Sequence, residues 1–587
     1  MNSFASQRAP VAAPKDDDQR RKPRGNVSYV SGLTDDPLCF VTVSQALDGI
    51  VMAHGNRAAA IFSADREVLS WKDLQRHSDD VAAALIAAGI RRGNRVGIWS
   101  PNRREWLFAQ FGAARIGAVL VNIDAGCGGA ELESALNKSR CRMLIVARSL
   151  HANDGLGLLR GLAPELDRPG DKPLLEASRL PHLKQVIVLG DGLVPARAER
   201  FSEFLRRGSP ALRRRLPALA AALDPDDTIN IQFTSGGTGA PKAVALSHFN
   251  IVNNARHAAQ AMQLAEVDKL CIALPLHHGL AMVLGVLACV ATGATMVFPS
   301  GRFEPLATLD AVSRHRCTAL HGMPGMFEAL LDHPDLPEYD MSSLRTGIVA
   351  GGPCAVDTLQ RMIEEINLDE MTVAYGLTEA GPAAFQTSVE DSLEIRADTV
   401  GRVHPNIEAK VVDREGRIVP IGRRGEICFR GYSVMRGYWD DAKRTREALD
   451  GSGWLHSGDL GTLDADGYCR IVGRLSDMLS CGSDTVCPEE IEALIRRHPK
   501  VQDAQVFGVP GSRQDDEICA WIVLRPGAHA GVDEIIAFCR AKMDHHNVPR
   551  HIRFVADFPH TSTGRPRKFL MCTSMLVELK RSEARVA

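Results

Sequence analysis

Residues 234–242 read T-S-G-G-T-G-A-P-K, a run of small and hydroxyl side chains closed by a lysine. Thr234, Ser235 and Thr238 offer O–H donors, and Gly236, Gly237 and Gly239 let backbone N–H groups approach a ligand closely. Ala240 and Pro241 lead to Lys242, which adds one positive charge. Phosphate oxygens are the natural partner of such a loop. A buried-strand pattern, D-T-I-N-I-Q-F, precedes it, and an apolar run, A-V-A-L, follows. A Walker loop ends in Lys-Ser/Thr and opens a helix; here Ala243 and a strand follow Lys242, so the loop is of a different kind.

Three further islands could carry chemistry. Y-G-L-T-E, Tyr375 to Glu379, ends a strand-like run. There Tyr375 could pack on a base, Thr378 reach a phosphate and Glu379 hold Mg²⁺. In W-L-H-S-G-D, Asp459 could accept both hydroxyls of a ribose. In G-R-L-S-D, Arg474 supplies a fixed cation. Alone, each has an ordinary alternative: a turn capped by Thr378, a solvated turn, a surface salt bridge. Their order and separations make them a set.

Elements that must position these islands alternate between strand and helix. Apolar runs at 95–100, 118–123, 143–147, 185–190, 346–351 and 373–376 read as strands, with more at I-N-I-Q-F and L-C-I-A-L. Between them, 71–88 places Leu74, Val81, Leu85 and Ala88 on one helical face, with Ser70 and Asp73 as a capping box and Gly89 as the stop. This alternation predicts an α/β fold with mostly parallel sheets. An Arg- and Ala-rich stretch, 198–224, reads as a surface helix plus linker. After about residue 400, E-A-K-V-V-D, G-E-I-C-F-R-G and Y-C-R-I-V-G indicate a β-rich subdomain, and a final α+β unit begins near Ser476.

With 587 residues, 45% of them hydrophobic, the chain is too long for a single core and predicts two or more domains. A net charge of −2 gives no pull toward nucleic acid or anionic membrane. The fourteen cysteines contain no C-x-x-C pair, which argues against a disulfide framework or zinc ribbon and for a cytoplasmic location. Residues 1–26 read as a disordered charged tail. The uncharged segment 280–299 has the length of a membrane span, but Gly293 and Pro299 divide it into a buried helix and a short strand.

Taken together, the motifs resemble the acyl-activating superfamily of adenylate-forming enzymes over about residues 27–572. The texture is closest to medium-chain fatty acyl-CoA synthetases, as in L-P-L-H-H-G-L-A-M-V-L-G, C-T-A-L-H-G-M-P-G-M-F, F-R-G-Y-S-V-M-R-G-Y-W and E-I-C-A-W-I-V-L-R-P-G-A. The resemblance implies a large N-terminal domain, 27–475, and a small mobile C-terminal lid, 476–587, hinged at Ser476. It implies ATP, Mg²⁺ and coenzyme A as partners of a small carboxylic acid: acyl-AMP and pyrophosphate form first, and a pantetheine thiol then takes the acyl group. Carried over by position, 234–242 holds the triphosphate, Thr378 touches the α-phosphate and Glu379 binds magnesium. Tyr375 with Gly351, Gly352 and Pro353 frames adenine, and Asp459 with Arg474 binds ribose. His278 gates an acyl pocket lined by Met323, Ala350, Gly351, Gly376 and Ala380, while His277 stands where the subgroup often has tyrosine.

Departures from the family pattern cluster in the lid. P-H-T-S-T-G-R puts Arg565 where the family has a lysine bridging carboxylate and phosphate, and a planar fork does not reproduce a point charge. Lys568 is no substitute, because the family is usually basic there too. Near the hinge, Ser476 stands for lysine, Ser483 for glycine, Asp484 for glutamate and Thr485 for asparagine; in the loop, Gly237 replaces a hydroxyl residue and Ala243 a glycine. Three readings follow: a working acyl-CoA synthetase, a ligase that passes the acyl group to an acyl carrier protein, and a nucleotide- or acyl-binding homologue with impaired catalysis. The basic run at 201–215 could meet a carrier's acidic surface or simply be solvated.

Overall fold

Ser70 shows how locally this chain encodes its elements. Its hydroxyl accepts the Asp73 N–H while the Asp73 carboxylate accepts the Ser70 N–H, and the helix Trp71–Ala87 starts there. Leu74, Val81 and Leu85 are fully buried on its inner face, and Gly89 turns the chain away at φ 79°. The computed structural model describes residues 19–150, 153–168, 174–234, 241–481, 484–510, 516–543, 547–560 and 566–586.

Two large sheets form the body of the protein. One has eight strands in the order Glu199–Arg200, Gln185–Leu189, Met143–Ala147, Arg95–Trp99, Val119–Ile123, Thr228–Thr234, Lys242–Ser247 and Gly437–Tyr438. The nine-stranded sheet has a parallel centre formed by Glu370–Tyr375, Thr346–Ala350, Ala319–Gly322, Lys269–Ile272 and Thr295–Phe298. The α/β expectation holds. A five-stranded antiparallel sheet, Tyr29–Ser31, Ile407–Val412, Gly425–Gly431, Leu455–Leu463 and Cys469–Arg474, supplies the expected β-rich part. Beyond it Val501–Pro510, Asp516–Leu524 and His551–Phe554 form a separate small sheet, packed with the helices Pro488–Arg496, Val532–Arg540 and Lys568–Val586.

The apolar segment at 280–299 lies in the core. Helical turns run from Gly279 to Thr292, with a π-helical stretch at Met282–Leu287, and Gly293 ends them at φ 85° before the strand Thr295–Phe298. No helix among the described residues is long and apolar enough to cross a membrane. The Arg-rich stretch departs from the expected single helix. It forms three short ones, Phe201–Arg206, Pro210–Arg213 and Leu216–Ala221, because Pro210 and Pro217 each open a new turn. Several of its arginines are engaged within the chain, Arg207 with Glu199 and Arg213 with Asp80, both at 2.8 Å. Within the tail, Lys22 pairs with Asp466 at 2.8 Å; residues 1–18 lie outside the described residues.

Four buried histidines hold core elements together in their neutral form. His321 bridges two layers: its Nδ1 accepts the Ile348 N–H at 3.1 Å and its Nε2 donates to the Leu284 carbonyl at 3.0 Å. His248 accepts the Val43 N–H at 3.0 Å, and His257 and His404 face glutamine side chains. Burial lowers all four, to about 4 for His321 and His257 and about 3 for His248 and His404. The unfolded chain therefore takes up protons first as pH falls below the ordinary histidine value of about 6.5. Their contribution to stability is fully present above pH 6.5 and is lost progressively toward pH 3. Thermal unfolding followed across that window is expected to show a falling Tm, and His404→Gln is expected to flatten the fall.

Candidate active site

Four neighbouring parallel strands of the nine-stranded sheet end at the same edge, and their carboxyl ends carry the expected acid- and base-binding residues. His277 and His278 follow Lys269–Ile272, and Met323 follows Ala319–Gly322. Gly351, Gly352 and Pro353 follow Thr346–Ala350, and Gly376 to Ala380 follow Glu370–Tyr375. Pairing of Ala350 with Ala374 fixes the last two ends side by side. The phosphate-type loop opens from the other sheet. Thr234 and Lys242 pair directly at the base of an antiparallel hairpin; Ser235, Gly236, Gly237, Thr238, Gly239 and Ala240 lie outside the described residues, as does Arg565.

Asp459 reaches the site through a bulge. Glu426 pairs with Leu460 but Cys428 with His456, so the strand Leu455–Leu463 accommodates two extra residues, which re-aims its side chains. The Ser457 hydroxyl donates to the Ile427 carbonyl at 2.6 Å and accepts the Asp459 N–H at 3.0 Å, fixing the bulge. The buried Asp459 carboxylate then accepts the Tyr375 hydroxyl at 2.7 Å on one oxygen and meets Arg474 Nε at 3.0 Å on the other. Burial, followed by the carboxylate's charge, pushes the Tyr375 phenol well up, so it stays a proton donor.

At the other end of the same loop, Glu379 is 9% exposed and one of its oxygens accepts the Tyr438 hydroxyl at 2.9 Å. Lys242 Nζ in turn lies 3.4 Å from the Tyr438 oxygen and 5.2 Å from its ring centre. Loop lysine, tyrosine and carboxylate thus form one chain. Tyr438 sits in the F-R-G-Y-S-V-M-R-G-Y-W stretch but has no motif spacing that marks it; what places it is the pairing of Val244 with Tyr438 in the eight-stranded sheet. Burial and Glu379 raise its phenol, which remains protonated. Tyr438→Phe removes the only donor to the Glu379 carboxylate among the described residues, and a hydrogen bond to a charged group is worth about 1.5–3 kcal/mol. The adenylation rate is expected to fall by roughly 10–100-fold with the fold intact, read by pyrophosphate release beside a thermal melt.

The stretch 375–379 therefore joins a carboxylate held by tyrosine and arginine to a lysine at the mouth of a glycine-rich loop. The sequence matches the AMP-binding enzyme family over residues 49–439 and the AMP-binding enzyme C-terminal domain over 490–565. This chain belongs to the AMP-binding enzyme family. YngI of Bacillus subtilis (strain 168) is 40% identical over 91% of this chain and 96% of its own length. The mitochondrial medium-chain acyl-CoA ligase ACSF2 of Danio rerio is 38% identical over 93% and 90%. Among solved structures, the anthranilate CoA ligase AuaEII with anthranoyl-AMP superposes with a TM-score of 0.80 at 25% identity, over 93% of this chain and 99% of that one. The large N-terminal and small C-terminal domains are those of adenylate-forming enzymes.

In this AMP-binding enzyme the residues expected to border the acid also lie near one another. Gly351 adopts φ 92°, and a Cβ on it would lie 3.3 Å from Met323 Cγ, so Met323 covers that turn. Gly376 has no room for a side chain: a Cβ there would meet the Pro382 carbonyl oxygen at 2.2 Å. His278 caps a helical turn, its Nδ1 accepting the Leu280 N–H at 3.2 Å. The adjoining Gly279 lies against Pro382 and Gln232, and Ala380, two residues before that proline, is fully buried. His277 Nε2 is 3.6 Å from Asp124. Asn254, on the helix His248–Ala261 that follows the loop strand, was not marked by any motif. Its side-chain amide donates to the Ala383 carbonyl at 2.6 Å and accepts the Ala383 N–H at 3.0 Å. In the C-terminal domain, Lys568 is committed to Glu492 at 2.8 Å and Glu489 at 3.7 Å.

Proposed function

We propose that these residues hold ATP and a fatty acid of medium length for an AMP-forming acid–CoA ligase. The enzyme joins a carboxylic acid to the α-phosphate of ATP with release of pyrophosphate, then passes the acyl group to the thiol of coenzyme A, with Mg²⁺ accompanying the nucleotide. The observation that carries the residue assignment is the double reach of 375–379: Tyr375 touches Asp459, and Glu379 connects through Tyr438 to Lys242. Asp459 and Arg474 receive the ribose, and Tyr375, Gly351, Gly352 and Pro353 frame the base. Thr234 to Lys242 take the phosphates and Thr378 the α-phosphate. His278, Met323, Ala350, Gly376 and Ala380 border the acid.

Glu379 suits magnesium. It offers a buried carboxylate with one oxygen oriented by Tyr438, and Mg²⁺ favours one or two carboxylates beside substrate phosphates. When bound, the ion stabilises charge that develops on phosphate. Medium chain length is supported by the name of the Danio rerio relative, and a cytoplasmic setting by the free, mostly buried thiols of the described cysteines. The domain boundary falls at 475/476, in the exposed turn Leu475–Asp477 between the two matched regions.

The test runs straight-chain acids from acetate to palmitate with ATP and CoA. It scores pyrophosphate, hydroxamate-trapped acyl-AMP and acyl-CoA. Acyl-CoA peaking at intermediate chain length is the expected result; ATP binding without pyrophosphate release would overturn it, and acyl-AMP without acyl-CoA would point to a carrier-protein acceptor. At position 565, lysine is expected to raise adenylation about tenfold over the native arginine, because a compact ammonium fits a crowded reaction centre better than a planar fork. Single-turnover acyl-AMP formation checks it, and an unchanged or slower Arg565→Lys variant would show that the site is adapted to arginine.

A further inference from the structure

Outside the nucleotide site, three different metal-ligating side chains meet between two strands of the five-stranded sheet. Cys428 and His456 are direct cross-strand partners, and Glu426 lies two residues from Cys428, on the same face. Cys428 Sγ is 3.5 Å from His456 Nδ1, Glu426 Oε2 is 2.7 Å from the same nitrogen, and all three donor atoms lie within 4.8 Å of one another. A tetrahedral ion bonded at about 2.3 Å to sulfur and about 2.0 Å to nitrogen holds those two atoms about 3.5 Å apart, which the pair already satisfies. The carboxylate would withdraw from the imidazole by only about half an ångström. Its other oxygen accepts the Gly458 N–H at 3.0 Å, an outer contact of the kind that orients metal ligands. Cys428 is wholly buried beside Val412 and Trp454, whereas a third of the His456 side chain faces solvent, so the approach and an open fourth position lie on the histidine side.

We propose that Glu426, Cys428 and His456 form a Zn²⁺ site. Thiolate, imidazole and carboxylate together favour a borderline-soft ion, and Mg²⁺, which prefers oxygen ligands, does not compete. Loading expels the Cys428 thiol proton and the proton shared by His456 and Glu426. The ion clamps the strand Gly425–Gly431 to the strand that carries Asp459.

The test uses the full chain, stripped of metal, with Co²⁺ as the optical probe and Zn²⁺ as competitor. One equivalent of Co²⁺ is expected to give a thiolate charge-transfer band that Zn²⁺ abolishes and Mg²⁺ leaves intact. One equivalent of Zn²⁺ is expected to raise the Tm. Cys428→Ser is expected to lose both effects. His456→Gln, at a partly exposed position, is expected to weaken Co²⁺ binding at least tenfold and serves if the serine variant folds poorly. A band that persists in Cys428→Ser, full affinity in a folded His456→Gln, or a native chain that shows neither band nor Tm rise would overturn the proposal.

Discussion

Replacing Asp459 with alanine is expected to raise the KM for ATP about 100-fold, a loss near 2.7 kcal/mol. The carboxylate is buried and takes the Tyr375 hydroxyl on one oxygen and Arg474 on the other. Removing it strands a buried phenol and takes the partner from a half-exposed guanidinium; losing one side of a fully buried pair costs about 3–5 kcal/mol, and exposure of Arg474 reduces that figure. It also deletes the acceptor proposed for the ribose hydroxyls. Two readouts separate these effects. The native enzyme is expected to use 2′-deoxy-ATP about tenfold less well than ATP, the worth of one hydrogen bond, and the variant to treat both nucleotides alike. Preserved discrimination in Asp459→Ala would place ribose recognition elsewhere.

Glu379→Gln is the second large effect. The amide keeps the shape and still accepts from Tyr438 but removes the charge proposed to hold Mg²⁺. Electrostatic contributions of this sort are worth about 10²–10³ in kcat. The expected signature is a fall of that size together with a shift of the Mg²⁺ dependence to higher concentration, measured by ATP–pyrophosphate exchange. A loss in rate with an unmoved magnesium midpoint would assign the carboxylate a positioning role instead.

What could be read in the chain beforehand was what neighbours in sequence decide. Ser70 and Asp73 are three residues apart and close a capping box by themselves. The hairpin around the loop follows from two apolar runs that must pair, Thr234 against Lys242. Tyr438 lies 196 residues from Lys242 and 59 from Glu379, and its place is set by strand order, which leaves no periodic trace. Asn254 is hidden for a similar reason, since a helical asparagine three residues beyond Ile251 reads as an ordinary polar position. The stretch 198–224 misled because composition favoured one helix while Pro210 and Pro217 divided it. Motif spacing located Asp459, but not the two-residue bulge that aims it.

At residue 383 the amide of Asn254 grips main-chain atoms and no side chain, and its nitrogen also lies 3.5 Å from the Tyr432 hydroxyl. Side chains around Ala383, on the side proposed to border the acid, can therefore diversify without loosening this joint to the helix that follows the glycine-rich loop. Asparagine 254 has no such freedom, because another side chain of its size would have to offer donor and acceptor in the same plane. On the proposed function, new acid preferences can thus arise around residue 383 while the helix His248–Ala261 and the strand before it stay unchanged.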